Sequence, residues 1–164
     1  MAYFAKKPFS MDQPINLFNI RVYGIVLNDK RELLLTDEFR LGMRMTKFPG
    51  GGLNFGEGTL DCLRREFREE LDQEIEILSH FYTTDYFQQT RLLKTPQQLI
   101  SIYYLVMPTA PETIRIAAKP FDFEDVDGAQ NFRWVKLDDI SESDLIFPID
   151  QKVIRLLKER HRIQ

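Results

Sequence analysis

Cysteine is almost missing from this 164-residue chain: Cys62 stands alone. That excludes an internal disulfide framework and fits a reducing compartment. A surplus of basic charge is missing too. Twenty-two Lys and Arg face twenty-five Asp and Glu, for a formal net charge of -3, so no overall positive field points to a nucleic acid polymer as partner. The opening "MAYFAKKPFSMDQPINLFNI" holds no apolar run long enough for a signal peptide or a membrane span, so we expect a cytoplasmic protein with no membrane partner. Repeats and low-complexity stretches are absent, and we expect no appended segment of helix-turn-helix size. What is present is apolar material: 43% hydrophobic residues, with thirteen Phe, is enough to bury a core and argues against disorder. We expect a single domain over 1–164, with 1–15 as an N-terminal extension and 148–162 as a C-terminal helix.

Short apolar or alternating runs broken by turn signals dominate the chain. "NIRVYGIVLNDKRELLLTDEF" reads as a hairpin turning at Asn28-Asp29-Lys30. "MTKFPGGG" reads as a short strand entering a glycine loop. "EIEILSHFYTTDYFQQ" and "QLISIYYLVMP", rich in β-branched and aromatic residues, read as a strand pair, and the connector "TRLLKTP" with Pro96 reads as a loop. "NFRWVKLDDI" is a late strand. "PIDQKVIRLLKERHR" is a helix with Val153, Ile154, Leu156 and Leu157 as its buried stripe. Strands around two helices predict an α/β layered domain with a mixed sheet.

The central helix carries the chemistry. With Thr59 as N-cap and the helix running from Leu60 to about Asp72, Leu60, Leu63, Phe67 and Leu71 share one arc. Glu66, Glu69 and Glu70 converge on the neighbouring arc, because residues three and four apart meet on a helix surface. Like charges so placed repel by roughly 0.2–0.5 kcal/mol per pair, and more when partly buried. A hard divalent cation removes that cost, since Mg²⁺ and Mn²⁺ favour carboxylate and carbonyl ligands. Gly50, Gly51 and Gly52 beside the arc offer backbone carbonyls and room for a bulky anion. An acidic helix face by itself is usually a solvated surface; the glycine loop and Glu57 in register weigh against that here.

The run from Gly51 to Gln73 resembles the Nudix box, G-x5-E-x7-R-E-U-x-E-E-x-G-U with U apolar. Gly51 opens it, Glu57 takes the first Glu, Arg65-Glu66 the "RE", Phe67 the apolar position and Glu69-Glu70 the "EE". Two positions depart: Asp72 stands for the final Gly and Gln73 for the final apolar residue, which puts the turn ending the helix in question. The box covers about a seventh of the chain and is a specific motif. The resemblance implies a Nudix-type α/β/α sandwich with a mixed β-sheet between helices. It implies Mg²⁺ (or Mn²⁺) as cofactor, with Glu69, Glu70 and the Gly50 carbonyl as ligands. Glu66 would bind metal or act as base toward water. Glu57 would bind metal or pair with Arg65, which orients helix and loop. The implied reaction is metal-dependent hydrolysis of a phosphoanhydride in a nucleoside diphosphate linked to another group, such as a nucleotide sugar, an ADP-ribose-like compound or a nucleoside triphosphate. The resemblance also allows a homodimer.

Two other readings compete. A nucleotide-sensing domain without catalysis would have lost box carboxylates, and all are present here. An isoprenoid diphosphate isomerase would want a reactive Cys in the site loops; Cys62 lies within the helix and reads as a packing residue. Outside the box, Arg21, Arg40 and Arg44 are candidates to hold phosphates or a terminal sugar. Tyr82, Tyr86 and Phe87, with Phe18 and Tyr23, are candidates to stack on a base. Each could equally be a sheet or surface residue. A late acid is expected in "FDFEDVDGAQ", where Glu124 and Asp127 are favoured over Asp125. His80 reads as a sheet histidine, and the basic terminal helix as a solvated face with favourable dipole contacts.

Overall fold

The computed structural model describes residues 14–90 and 93–162. The expected N-terminal extension lies mostly outside the described residues, as do Arg91 and Leu92 of the predicted connector.

Seven strands and two helices follow in the order β1 (Phe18–Ile25), β2 (Glu32–Arg40), β3 (Met43–Lys47), β4 (Gly50–Gly52), α1 (Thr59–Leu71), β5 (Ile75–Thr83), β6 (Gln98–Pro108), β7 (Ala129–Lys136) and α2 (Pro148–Arg162). A four-stranded sheet has the order β4-β1-β6-β5, with β1 and β6 parallel and its other neighbours antiparallel. An antiparallel sheet β3-β2-β7 completes the layer. The period of two in the strands sorts their side chains between two cores. Tyr23, Ile25, Leu33, Leu35 and Tyr103 join Val153, Ile154 and Leu157 of α2. Val22, Val26, Leu34 and Val106 join Leu63, Phe67 and Leu71 of α1. Strands buried on both faces between two helices make the expected α/β/α sandwich. The α2 stripe is as predicted, extended by Ile149 and Asp150, with Leu156 only partly buried.

Three expectations are corrected. The turn at residues 28–31 forms, held by the Asn28 side chain accepting the N–H groups of Lys30 and Glu32 at 3.0 and 2.9 Å. The hairpin does not: contact is limited to the bridge Leu27–Leu33 and its neighbours, after which β1 and β2 enter different sheets. Each strand is already paired on both edges elsewhere, which leaves no edge for the other. Secondly, Gly50–Gly52 is a strand, antiparallel to β1 with Val22 opposite Gly51. Thirdly, Gly58 precedes α1 as its N-cap and Thr59 is its first residue. The Thr59 hydroxyl instead shares a hydrogen bond with the Tyr104 hydroxyl (2.9 Å), and Asp61 accepts the Gly58 N–H. Leu60, expected in the core, is 37% exposed, whereas Cys62 is fully buried as a packing residue.

The departures at the end of the box are absorbed locally. Asp72 adopts the left-handed conformation (φ 52°, ψ 42°) that a glycine would take, and its N–H bonds the Arg68 carbonyl at 3.1 Å. Gln73 is buried in place of an apolar side chain, donating to the Thr113 hydroxyl at 2.7 Å and accepting the Ala110 N–H at 3.2 Å. A buried amide is tolerable when both its ends are bonded.

Candidate active site

Arg65 organises the glycine strand, the loop after it and α1. Its Nε and Nη2 donate to the two carboxylate oxygens of Glu57 at 3.0 and 2.7 Å. Nη2 also reaches the Gly52 carbonyl at 2.9 Å, while Nη1 reaches Glu66 at 2.8 Å and Glu69 at 3.2 Å. The rigid guanidinium fork suits this, because it presents several donors in fixed directions. Of the two roles open to Glu57, it here takes the pairing one. Hydrogen bonds from Arg65 and from the Asn54 N–H hold its carboxyl down to about 2. Glu57 thus closes the loop 53–57 against the helix.

Two glycines have different jobs here. Gly50 sits at φ +133°, and a Cβ there would lie 2.2 Å from the Val22 carbonyl oxygen. Gly51 has no such backbone strain, but a Cβ on it would lie 2.4–2.5 Å from the Glu66 carboxylate. Glu66 therefore rests its carboxylate on the bare backbone of β4.

The three acids of the helix arc do not form a closed cluster. Arg65 draws Glu66 and Glu69 to one side, whereas Glu70 turns toward Gly50 and Lys47. Among the described residues, no three His, Cys, Asp or Glu side chains stand ready around one point. Burial raises the Glu70 carboxyl and neighbouring Glu66 adds to this, while Lys47 works against it. Its Oε2 is buried without a hydrogen-bond partner. A buried carboxylate oxygen left unpaired is costly unless something occupies it. The Gly50 N–H meets Glu70, and Glu66 lies close enough to raise its carboxyl; oxygen donors of this kind suit a hard divalent cation.

A cavity of about 310 Å³ opens between β1, the start of β6, the β2–β3 hairpin and the start of α2; no box residue is among its described lining. Arg21, Arg40 and Lys47 line it, as do Glu38, Tyr103 and Asp150. Arg21 donates through Nε to the Tyr23 hydroxyl at 2.6 Å, and Tyr23 stacks on Tyr103 with centroids 5.2 Å apart. The Tyr103 hydroxyl donates to Asp150 Oδ1 at 2.5 Å, and Asp150 Oδ2 is buried without a partner. Burial pushes the Asp150 carboxyl up to about 7, although the Tyr103 hydrogen bond opposes the rise.

Comparison with known proteins bears on the family and the fold. The profile of the NUDIX domain matches residues 17–157, most of the chain. This chain belongs to the Nudix hydrolase family. A curated relative, the RNA pyrophosphohydrolase of Ruthia magnifica subsp. Calyptogena magnifica, is 44% identical over 57 residues, covering 34% of this chain and 31% of the relative. The chain thus matches only about a third of that relative's length. Among solved structures, the MutT protein of Methanosarcina mazei Go1 superposes with a TM-score of 0.62 at 18% identity, covering 90% of this chain and 99% of that one. A NUDIX hydrolase from Nitrosomonas europaea gives 0.60 at 18% identity, covering 86% and 88%. The Ap4A hydrolase of C. elegans in a binary complex gives 0.60 at 15% identity, covering 91% and 100%. At these identities the likeness is one of Nudix fold.

Outside the Nudix box the predicted residues divide. Arg21, Tyr23 and Arg40 line the cavity. Arg44 does not: it pairs with Asp125 at 2.9 Å and lies over the Phe121 ring. Tyr82 is packed in the α2-side core and donates to Asp85 at 2.6 Å, so its ring has no face free for a base. Tyr86 and Phe87 are exposed outside the cavity, and the next residues, Gln88 to Thr90, line it instead. Phe18 is 65% exposed, away from it. Glu124 and Asp127 sit on the loop before β7, where Asp127 accepts the Leu41 N–H at 2.8 Å and Glu124 is exposed. Among the described residues, neither bonds a box residue.

Sequence reasoning missed Lys47, Glu38 and Asp150. A signal existed for Lys47: with Met43 and Met45 it shares one face of β3, and that face is inward. Asp150 reads as an ordinary first-turn acid of a helix, and only the fold places it against Tyr103.

Proposed function

We propose that this Nudix protein is a metal-dependent hydrolase cleaving a phosphoanhydride bond in a nucleoside diphosphate joined to another group. The observation that carries this reading is the Arg65-centred box, with the unpaired buried oxygen of Glu70 beside Gly50. Glu70, Glu69 and the Gly50 carbonyl are the proposed holders of Mg²⁺ or Mn²⁺, joined by Glu66 as a further ligand or as the base. Such an ion lowers the pKa of bound water and neutralises charge on bridging and leaving oxygens. Arg65 contributes by fixing Glu66 and Glu69 in direction and by tying α1 to β4. Glu57 keeps Arg65 in place. Arg21 and Arg40 are proposed to meet the phosphates, and the cavity to receive the group beyond them. Its volume suits a base or a sugar. The lone buried Cys62 supports a reducing, cytoplasmic setting.

The test is a panel. Purified protein with Mg²⁺ or Mn²⁺ meets nucleoside triphosphates, nucleotide sugars, ADP-ribose, dinucleoside polyphosphates and a 5′-triphosphorylated oligonucleotide. The last is included because the partial curated match is named an RNA pyrophosphohydrolase. Released phosphate, pyrophosphate and nucleoside monophosphate are measured. Cleavage of one class, abolished by EDTA, is expected. No turnover, with nucleotide-induced thermal stabilisation retained, would replace the enzyme with a sensing domain. Sedimentation of the same preparation tests the homodimer.

A further inference from the structure

Lys47 is a buried cation that the box does not explain. It is only 4% exposed at the end of β3 and lines the cavity, next to Gly50 just ahead of the box. Its Nζ lies 3.0 Å from Glu38 Oε2 and 3.5 Å from the Gly50 carbonyl. Glu38 is shared, because Arg40 approaches its other oxygen at 3.5 Å. On the same wall Arg21 has spent Nε on Tyr23, and among the described residues its two terminal nitrogens have no hydrogen-bonded acceptor. Among the described residues lining this walled space, three cations meet two acids, Glu38 and Asp150, and burial raises the Asp150 carboxyl to about 7. A concave site with surplus fixed positive charge concentrates anions. Keeping an ammonium out of water is costly unless a counterion meets it.

We propose that Lys47 grips the diphosphate of the substrate from the cavity side together with Arg21, independently of any metal, and that Glu38 is the internal anion occupying Lys47 while the cavity is empty. This rests on the phosphoanhydride reading above and assigns the residue that turns the substrate's diphosphate toward the box. Lysine suits the place as a compact point charge reached by any phosphoryl oxygen, whereas Arg21 supplies directed donors. Glu38 competes with the substrate for the ammonium, so its loss should strengthen anion binding rather than weaken it.

The experiment is calorimetric binding in EDTA of inorganic pyrophosphate, ADP and adenosine to the full chain. Wild type is expected to bind pyrophosphate and ADP. Lys47→Met should weaken both by about tenfold or more, the worth of one charge-assisted hydrogen bond, and leave adenosine unchanged. Lys47→Arg should restore most of the loss. Glu38→Gln should bind pyrophosphate several-fold tighter. Equal pyrophosphate affinity in wild type and Lys47→Met would overturn the proposal. So would no binding by wild type in EDTA. If the Lys47 variants fail to fold, Glu38→Gln decides: unchanged or weaker affinity overturns it. Metal-dependent turnover in the panel alongside a failed binding test would sink Lys47's role and leave the hydrolase intact. Metal-free pyrophosphate binding without turnover would do the reverse.

Discussion

Alanine at Gly51 and alanine at Gly50 should fail in opposite ways. At Gly51 the new methyl would lie 2.4 Å from Cδ of Glu66 and 2.4–2.5 Å from its oxygens, all at the far end of a flexible side chain. The carboxylate must retreat by about 1 Å to reach ordinary contact, which a rotamer change costing about 0.5–1.5 kcal/mol can supply. Stability should therefore drop by no more than about 1.5 kcal/mol. Activity should suffer far more if Glu66 acts as proposed, because its carboxylate is displaced and its 2.8 Å bond from Arg65 is lost. A misplacement of about 1 Å costs on the order of 10²-fold in rate. At Gly50 the methyl would meet the Val22 carbonyl at 2.2 Å and Tyr23 Cα at 2.8 Å, both backbone, at φ +133°. Nothing there can step aside, and overpacking plus the forbidden φ should cost several kcal/mol, roughly 3–5. Urea unfolding and kcat on the best panel substrate separate the two. Gly51→Ala with near wild-type kcat would refute the placement of Glu66 in the reaction, and a stable Gly50→Ala would refute the β4–β1 register.

Other perturbations read other parts of the account. Asp72→Gly should stabilise the protein by about 0.5–1 kcal/mol in thermal unfolding, since a non-glycine residue costs about 1–2 kcal/mol in the left-handed region and glycine returns part of the gain as chain entropy. Arg65→Lys keeps the charge but cannot serve Glu57, Gly52, Glu66 and Glu69 together; kcat should fall by about 10²-fold or more, with circular dichroism unchanged. Asp150→Asn should flatten stability against pH. Native Asp150 keeps its proton up to about pH 7, whereas an unfolded Asp loses it near pH 3.9. The native state thus holds the extra proton between those values, and wild-type stability falls relative to the Asn variant as pH rises from about 4 to about 7, by up to about 1.4 kcal/mol per unit. Parallel curves for the two proteins would refute the burial of that carboxyl.

Much of this was legible in the sequence because it is local. The spacing of Arg65, Glu66, Glu69 and Glu70 fixes their common helix side, and the period of the terminal segment fixes the α2 stripe. What escaped depends on contacts between distant segments. "NIRVYGIV…RELLL" has a hairpin's pattern and a working turn, yet long-range partners from β3, β4, β6 and β7 claim both strands. Three glycines read as a loop because strand propensity penalises glycine. Here they form a strand: β1 leaves no room for a side chain at Gly50 and Glu66 leaves none at Gly51, whereas Gly52 has space. The aromatic run misled for a related reason. Tyr82 reads as a ring that could stack on a base, but it packs in the α2-side core. Asp150 and Lys47 are ordinary residues in sequence, and their unusual burial exists only after α2 and β3 close on β1 and β6.

The central claim is that the box carboxylates work by holding a cation against a phosphoanhydride. The most direct measurement is the turnover of the best panel substrate by wild type and Glu70→Gln, each titrated with Mg²⁺ from an EDTA-treated stock. The account predicts no wild-type turnover without Mg²⁺, saturable activation with it, and a loss of at least about 10²-fold in a Glu70→Gln protein that unfolds at the wild-type temperature or above it, since the amide relieves a buried carboxyl. Undiminished Mg²⁺-dependent turnover in Glu70→Gln, or full activity in EDTA, would contradict it.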